Sequence, residues 1–95
     1  MFLSSYTFEG DPTALVAGYE RMRAAFPADA LELQVCVSTD SGLVVYDACP
    51  DREAFEAFST SEDLAAALSA AGLPSPRIEP LGDVHAAILR ETVPS

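Results

Sequence analysis

Two short apolar runs joined by a polar turn, at the centre of the chain, constrain its fold more than any other feature. Residues 31–38 and 43–49 are rich in valine and leucine, and residues 39–42 connect them with the sequence Thr-Asp-Ser-Gly. Strand-forming residues on both sides of a short turn-forming segment predict a β-hairpin. A segment of helical period lies before the hairpin and another lies after it. The predicted order of elements is therefore β-α-β-β-α-β.

The length of the turn decides which hairpin residues share a face of the sheet. An even number of loop residues puts the following apolar residues on one face: Leu33, Val35, Val37, Val44, Tyr46 and Ala48. The other face carries Gln34, Cys36 and Asp47 and mixes polar with apolar side chains. A three-residue turn with Gly42 in the left-handed region would scramble this division, so we favour the even turn. We expect the apolar face to lie under the helices.

The segment before the hairpin predicts a strand followed by a helix. Residues 2–8 alternate, with the larger aromatic side chains on one side of the strand. Asp11 is suited to cap a helix, Pro12 is suited to its first position, and Pro27 is expected to end it, with residues 28–30 as a short loop. The helix presents one apolar stripe, which consists of Leu15, Tyr19, Met22 and Phe26.

The segment directly after the hairpin predicts two packed helical pieces. Asp51 is the expected cap of the first piece. Residues 59–63 interrupt the apolar pattern, and Thr60 or Ser61 is expected to cap the second piece. Gly72 is expected to end it.

The last part of the chain predicts two further strands. Residues 77–79 are expected to form a short edge strand that Pro80 stops. Residues 84–90, which include His85, are expected to form the final strand, and residues 91–95 a tail. No repeat or composition shift marks a boundary, so residues 1–95 are predicted to be one domain.

The charge balance disfavours two classes of partner. Fifteen carboxylates against five arginines give a net charge of −10. Such a surface repels the phosphate backbone of nucleic acids and the headgroups of anionic membranes.

The chain shows no signal-peptide pattern and no apolar run long enough to span a bilayer, so we expect a cytoplasmic protein. Cys36 and Cys49 are expected to be free thiols, because the hairpin places them out of register for a disulfide.

The predicted order of elements is that of ferredoxin-like domains, an α+β class in which helices cover one face of an antiparallel sheet. The central strands lack the aromatic and basic residues of RNA-recognition versions. The loop after the first strand reads Gly-Asp-Pro, whereas metal-carrying versions have Cys-x-x-Cys there. No cluster of metal-ligand residues is recognisable, and neither a metal nor another cofactor is expected.

Within this class the chain resembles small actinobacterial proteins of the dimeric α/β-barrel superfamily, the group similar to antibiotic-biosynthesis monooxygenases. The resemblance is carried by the order and spacing of residues 10–15, 40–45, 51–58 and 70–77, followed by a predicted strand with His85. It implies a homodimer whose two sheets pack face to face with the helices outside. On that basis the face with Gln34, Cys36 and Asp47 is expected to meet the second subunit.

The resemblance also bears on activity. Oxygenases and haem-degrading members of the superfamily resemble one another in using asparagine and tryptophan near the pocket, and the haem branch adds a helical histidine. This chain contains no asparagine and no tryptophan, and its one histidine is predicted to lie on a strand. Haem degradation is therefore disfavoured, while a cofactor-independent, monooxygenase-like activity stays open.

Two residues are candidates for catalysis. His85 has the one side chain that ordinarily titrates near neutral pH, which suits general acid–base chemistry, although a packed or surface histidine is the commoner case. Asp47 would gain a raised pKa if buried, although pairing with Arg77 or Arg90 across a dimer is the commoner outcome. Five further residues are candidates for lining an apolar ligand pocket, and each is also an ordinary core residue: Tyr6, Met22, Tyr46, Phe55 and Phe58.

These observations lead to three functional hypotheses. The first is a homodimeric α/β-barrel protein that binds a small hydrophobic ligand and lacks the family's oxygenase residues. The second is a monooxygenase- or cyclase-like enzyme that acts on an aromatic or polyketide-like substrate with His85 as general base. The third is a structural or regulatory partner subunit.

Overall fold

A computed structural model describes residues 1–25 and 32–90 of the chain. The predicted end of the first helix at Pro27, the loop at residues 28–30 and the tail at residues 91–95 lie outside the described residues. The elements, in chain order, are β1 (Phe2–Glu9), α1 (Pro12–Ala25), β2 (Leu33–Thr39), β3 (Gly42–Cys49), α2 (Arg52–Ser59), α3 (Glu62–Ala70) and β4 (Arg77–Asp83).

The central hairpin has the predicted even turn. Thr39 pairs with Gly42, and the two residues between them form the loop. The register continues without interruption to Leu33, which pairs with Ala48. Gly42 is needed at this point for a steric reason, because a Cβ atom there would lie 2.0 Å from the carbonyl oxygen of Phe8 on the neighbouring strand β1.

The four strands form one antiparallel sheet in the order β2-β3-β1-β4. Each of the two halves of the chain contributes helical structure that packs on the same side of this sheet. The predicted α+β class and the ferredoxin-like order of elements are therefore confirmed. The break between α2 and α3 is also confirmed at the predicted position.

Side chains close the helix ends as the sequence indicates. The carboxylate of Asp11 accepts a hydrogen bond from the Ala14 N–H at 3.0 Å, and that of Asp51 accepts one from the Ala54 N–H at 2.7 Å. Ser61 caps α3 through a 3.1 Å bond from the Leu64 N–H. Gly72 follows α3 with a φ of +75°, the left-handed conformation that glycine adopts most readily.

The assignment of the two sheet faces from the hairpin alone was wrong. The helices cover the face with Cys36 and Asp47, whereas Val35 and Val37 are 44% and 38% exposed on the opposite face. The reason is β1, because its large aromatic side chains lie on one side of the strand and the helices pack against that side. In an antiparallel pair opposite residues share a face, and Tyr6 is opposite Val45, so the aromatic side of β1 brings the mixed side of β3 under the helices.

The core therefore forms between that face of the sheet and the three helices. Its buried members are Phe2, Tyr6, Phe8, Leu15, Leu43, Val45, Cys49, Phe55, Leu64, Leu68, Ala71 and Leu73. Leu43 is the most deeply buried of them, at 1% exposure.

The edge strand predicted at residues 77–79 is present but does not stop at Pro80, and the final strand predicted at residues 84–90 is not formed. β4 extends over Arg77–Asp83 and includes Pro80, while residues 84–90 contain no regular element. Proline is tolerated here because β4 is an edge strand, and the pairing with β1 shifts register between Leu3 and Ser4. The apolar composition of residues 84–90 suggested a strand that these residues do not form within one chain.

We expect Gly42→Ala to destabilise the fold, because the new methyl group would collide with the backbone of Phe8. The atoms in its way are main-chain atoms of a paired strand, so the cost should reach about 1–3 kcal/mol or more. Denaturant unfolding measures the effect, and Ser41→Ala in the exposed turn is the matched control. An unchanged midpoint for Gly42→Ala would contradict the close approach of β1 and β3.

Candidate functional site

A polar cluster that runs from the buried Asp47 to the surface lies between the sheet and α1. Asp47, on the central strand β3, is 5% exposed. Its carboxylate accepts a 2.9 Å hydrogen bond from the side-chain amide of Gln34 on β2. The carbonyl oxygen of the same Gln34 amide accepts a hydrogen bond from the hydroxyl of Tyr19 on α1. The three side chains therefore connect a helix, an edge strand and a central strand in one chain of hydrogen bonds.

The environment of Asp47 favours its protonated form. Burial raises the pKa of this carboxyl above its usual range, and the hydrogen bond from Gln34 opposes that effect. The expected pairing with Arg77 or Arg90 across a dimer stays a prediction. Arg77 forms a 2.8 Å ion pair with Glu79, and it belongs to the opposite side of the sheet. A raised pKa and a hydrogen-bonded orientation are the properties of a carboxyl group that keeps its proton to a higher pH than an exposed carboxyl group does.

Tyr6 extends the cluster with a buried hydroxyl that has no hydrogen-bond partner among the described residues. Burial raises the pKa of Tyr6 far above its usual range, and the Asp47 carboxyl raises it further. The Ser4 hydroxyl lowers that pKa somewhat, but it directs its own 3.5 Å bond to the Asp47 carbonyl. Tyr6 therefore stays a neutral phenol that is available to donate a hydrogen bond.

The two cysteines are free thiols, and neither is activated. Burial raises the pKa of the Cys36 thiol, and it also raises the pKa of the Cys49 thiol, to which the Asp47 carboxyl adds. Nucleophilic cysteines need the opposite shift, because the thiolate is the reactive form. The cysteines are therefore packing residues of the core and its margin.

The five candidate pocket residues do not form one site. Tyr6 and Phe58 meet edge to face, with ring centroids 6.4 Å apart, and Phe55 stacks against Phe2 at 5.4 Å. Met22 packs against the same core from α1. Tyr46 alone lies on the opposite, helix-free face of the sheet. The four residues under the helices pack against one another and the core.

His85 lies just beyond β4 and is exposed, so its predicted position within a strand was wrong. It lines a shallow depression of about 440 Å³ together with Leu3 and other residues of the segment 81–86. Leu3 belongs to the helix-free face, so this depression opens at the margin of that face. The assignment of His85 as a general base stays a prediction.

A second depression, of about 250 Å³, lies where α2 and α3 meet β4. Leu64, Leu68 and Ile78 form its apolar floor, and Ser59, Thr60 and Ser61 are on its rim. The Ser61 hydroxyl already caps α3 and donates to the Phe58 carbonyl at 2.8 Å. The Ser61 hydroxyl on the rim is thus used at the break between α2 and α3. The depression brings together none of the candidate catalytic residues.

The helix-free face of the sheet is the most unusual surface of the described residues. We call it the open face; its members on β1, β3 and β2 are Leu3, Ser5, Thr7, Val44, Tyr46, Ala48, Leu33, Val35 and Val37. None of them is charged, although the chain carries a net charge of −10. Charges on this face occur only at its margins, at Glu9 on the end of β1 and in the Arg77–Glu79 ion pair of β4.

Comparison with protein-family models, curated proteins and solved structures finds no match for this chain. In the described part of the chain no helix is both long enough and apolar enough to cross a membrane. The described residues also contain no group of three His, Cys, Asp or Glu side chains placed to hold a metal ion.

Sequence reasoning missed the partners of Asp47. Gln34 was recognised only as part of a mixed face, and Tyr19 only as part of the apolar stripe of α1. The available signal was a tyrosine in a core-facing stripe, since a buried phenol ordinarily needs a hydrogen-bond partner. Finding Gln34 required the three-dimensional position of α1 over the edge strand.

We expect acid to stabilise the protein through Asp47. A native-state pKa above the unfolded value of about 3.9 means that the folded chain binds this proton more tightly. The free energy of unfolding then rises as the pH falls through the native pKa, and the gain stops below the unfolded value. Each unit by which the native pKa exceeds the unfolded one contributes about 1.4 kcal/mol.

Asp47→Asn removes this titration, so the variant should gain less stability than the wild type between about pH 7 and about pH 4. Urea unfolding at a series of pH values measures the difference. Asp40→Asn, at the exposed turn of the hairpin, is the matched control and should follow the wild type. Parallel curves for Asp47→Asn and the wild type would show that burial of this carboxyl does not perturb its titration.

Proposed function

We propose that this chain is one subunit of a homodimer that pairs through its open face and binds a small hydrophobic ligand at the margin of that face. The observation that carries the proposal is the absence of charge from the centre of the open face, across three adjacent strands, in a chain with fifteen carboxylates. Depletion of charge at the centre of a surface, with aromatic residues retained, is characteristic of protein interfaces.

The exposed apolar side chains of the open face favour burial of this face against a second subunit over contact with water. Val35 and Val37 are each more than one-third exposed, and Leu81 at the margin is 51% exposed. Ser5 and Ala48 on the same face are 6% and 0% exposed, so the exposed apolar area is concentrated on β2 and at Leu81. Exposed apolar area on a small domain marks an interaction site. A chain of 95 residues also benefits from burying surface against a partner, because its own core is small.

A second copy is the partner that best fits this surface. Each copy repels other polyanions through its net charge, but the open face itself brings no carboxylate to its centre. The face is self-complementary in chemistry, since branched aliphatic side chains and Tyr46 would meet the same groups across a twofold axis. Such an assembly agrees with the dimeric α/β-barrel arrangement that the sequence resembles.

The depression beside His85 supports the ligand part of the proposal. Leu3, Leu81 and Val84 give it an apolar lining, and Asp83 and His85 supply polar groups that can orient a ligand. In the monomer the depression is shallow and open. The sheet of a second subunit over the open face would close it into a pocket, so ligand binding would depend on the dimer.

The dimer is tested by placing a charge at the centre of the open face. Val44→Glu would bury an unpaired carboxylate between the sheets, and we expect it to weaken dimerisation by at least tenfold in dissociation constant. Ala66→Glu, on the exposed side of α3, is the matched control and should remain dimeric. Sedimentation velocity measures both variants. A wild-type chain that stays monomeric at about 100 μM, or a Val44→Glu variant that dimerises normally, overturns the proposal.

The ligand site is tested with N-phenyl-1-naphthylamine, an uncharged apolar fluorophore. We expect saturable binding of one probe per subunit. Leu81→Glu should weaken this binding by at least tenfold, because it puts a charge into the apolar lining, while Ala66→Glu should not. Fluorescence titration gives the affinities. Equal binding by the Leu81→Glu and Ala66→Glu variants would remove the depression from the proposal.

A further inference from the structure

Residues 84–90 form an exposed, irregular segment with the composition of a strand. Ile88 is 86% exposed and Leu89 is 66% exposed, the two highest values among the large apolar side chains of the described residues. The segment contains no carboxylate, in a chain that has fifteen. Branched and long aliphatic residues of this kind are favoured in paired strands and are costly in water. Among the described residues the segment has no strand partner.

The two edges of the sheet are protected unequally. The β4 edge carries Pro80, the Arg77–Glu79 ion pair and a register shift, all of which discourage pairing with another strand. The β2 edge, Leu33–Thr39, has no proline, no charged residue and an uninterrupted register with β3. Among the described residues no strand pairs with the outer side of this seven-residue edge, which therefore offers N–H and C=O groups to any strand that can reach it.

Residues 84–90 cannot cover the β2 edge of their own chain. β4 and β2 are the opposite edges of the sheet, three strand spacings or about 14 Å apart. The N–H of Val84 donates a 2.8 Å bond to the Met1 carbonyl, which holds the start of the segment at the β4 side. At about 3.3 Å per residue the crossing would use about four of these seven residues, so that only the last three of them could lie along β2.

A second copy solves this geometric problem. β4 ends and β2 begins at the same end of the sheet, because Asp83 pairs with Phe2, Phe2 pairs with Cys49, and Leu33 pairs with the adjacent Ala48. If two open faces pack around a twofold axis parallel to the strands, β4 of each copy lies over β2 of the other. Packed sheets are about 10 Å apart, a distance that three extended residues span.

The limited area of the open face also favours a contribution of residues 84–90 to the interface. Four strands at about 4.8 Å and seven residues at about 3.3 Å give roughly 440 Å² of projected area. A standard interface buries about 800 Å² of accessible surface per partner. Burial of the exposed segment on the partner would enlarge an interface that the sheet face alone makes small.

We propose that residues 87–90 of each copy turn and pair as an added strand with the free β2 edge of the second copy, and that residues 84–86 cross between the two sheets. This inference rests on the proposed homodimer and adds an exchanged strand to it. The crossing residues 84–86 include His85 and line the depression at the margin of the open face, so the exchange would build one wall of the ligand pocket.

The test uses the full chain and a proline at the centre of the segment. Ala87→Pro removes a backbone N–H and disfavours strand pairing, and its exposed, irregular position leaves the subunit fold intact. Ser75→Pro, in the exposed connector before β4, is the matched control. Hydrogen–deuterium exchange with fragment analysis follows the β2 amides, and sedimentation velocity follows the oligomeric state of the same samples.

In the wild-type dimer we expect the β2 amides that do not bond to β3 to exchange at least tenfold more slowly than in the dilute monomer. Ala87→Pro should abolish that protection, while Ser75→Pro should keep it. A dimer whose β2 edge exchanges as fast as in the monomer, or protection that is independent of protein concentration, overturns the strand exchange but not the dimer. A chain that forms no dimer at all overturns the homodimer first, and the exchange with it.

Discussion

The antiparallel pairing of β1 with β3 is the interaction on which the rest of the structure depends. It joins the two halves of the chain at the centre of the sheet, and it forces Tyr6 and Val45 onto the same side. Because β1 has its bulky aromatic residues on that side, the helices pack there. This packing buries Asp47, and no helix of the described residues covers Val35, Val37 and Tyr46.

Burial of Asp47 determines how the polar residues of the core are organised. A carboxyl in an apolar setting needs a donor, and Gln34 supplies one from the edge strand. The Gln34 amide is itself oriented by Tyr19, so α1 is tied to the sheet by directional contacts as well as by packing. The unpartnered hydroxyl of Tyr6 beside this group is the kind of polar atom that natural cores rarely leave unsatisfied.

Local patterns in the sequence predicted the elements that local physics decides. The caps at Asp11, Asp51 and Ser61, the two-residue turn before Gly42 and the break between α2 and α3 each depend on a few adjacent residues. The covered face could not be predicted from the hairpin, because it depends on β1, more than thirty residues away. Residues 84–90 were misassigned because an apolar composition indicates strand pairing without indicating which strand is the partner. The Asp47 cluster could not be predicted from local patterns, because it depends on how α1 crosses β2.

The distribution of charge has a consequence for how two copies of this chain meet. The chain carries a net charge of −10, so two copies that approach one another to form the proposed dimer would experience long-range repulsion before any apolar contact forms. Dissolved salt shortens the reach of that repulsion to about 8 Å at physiological ionic strength, but leaves apolar attraction in place. Encounter between copies should therefore become faster as ionic strength rises, the reverse of association between oppositely charged proteins. Such a chain would sense the ionic composition of its surroundings through the speed of its own assembly.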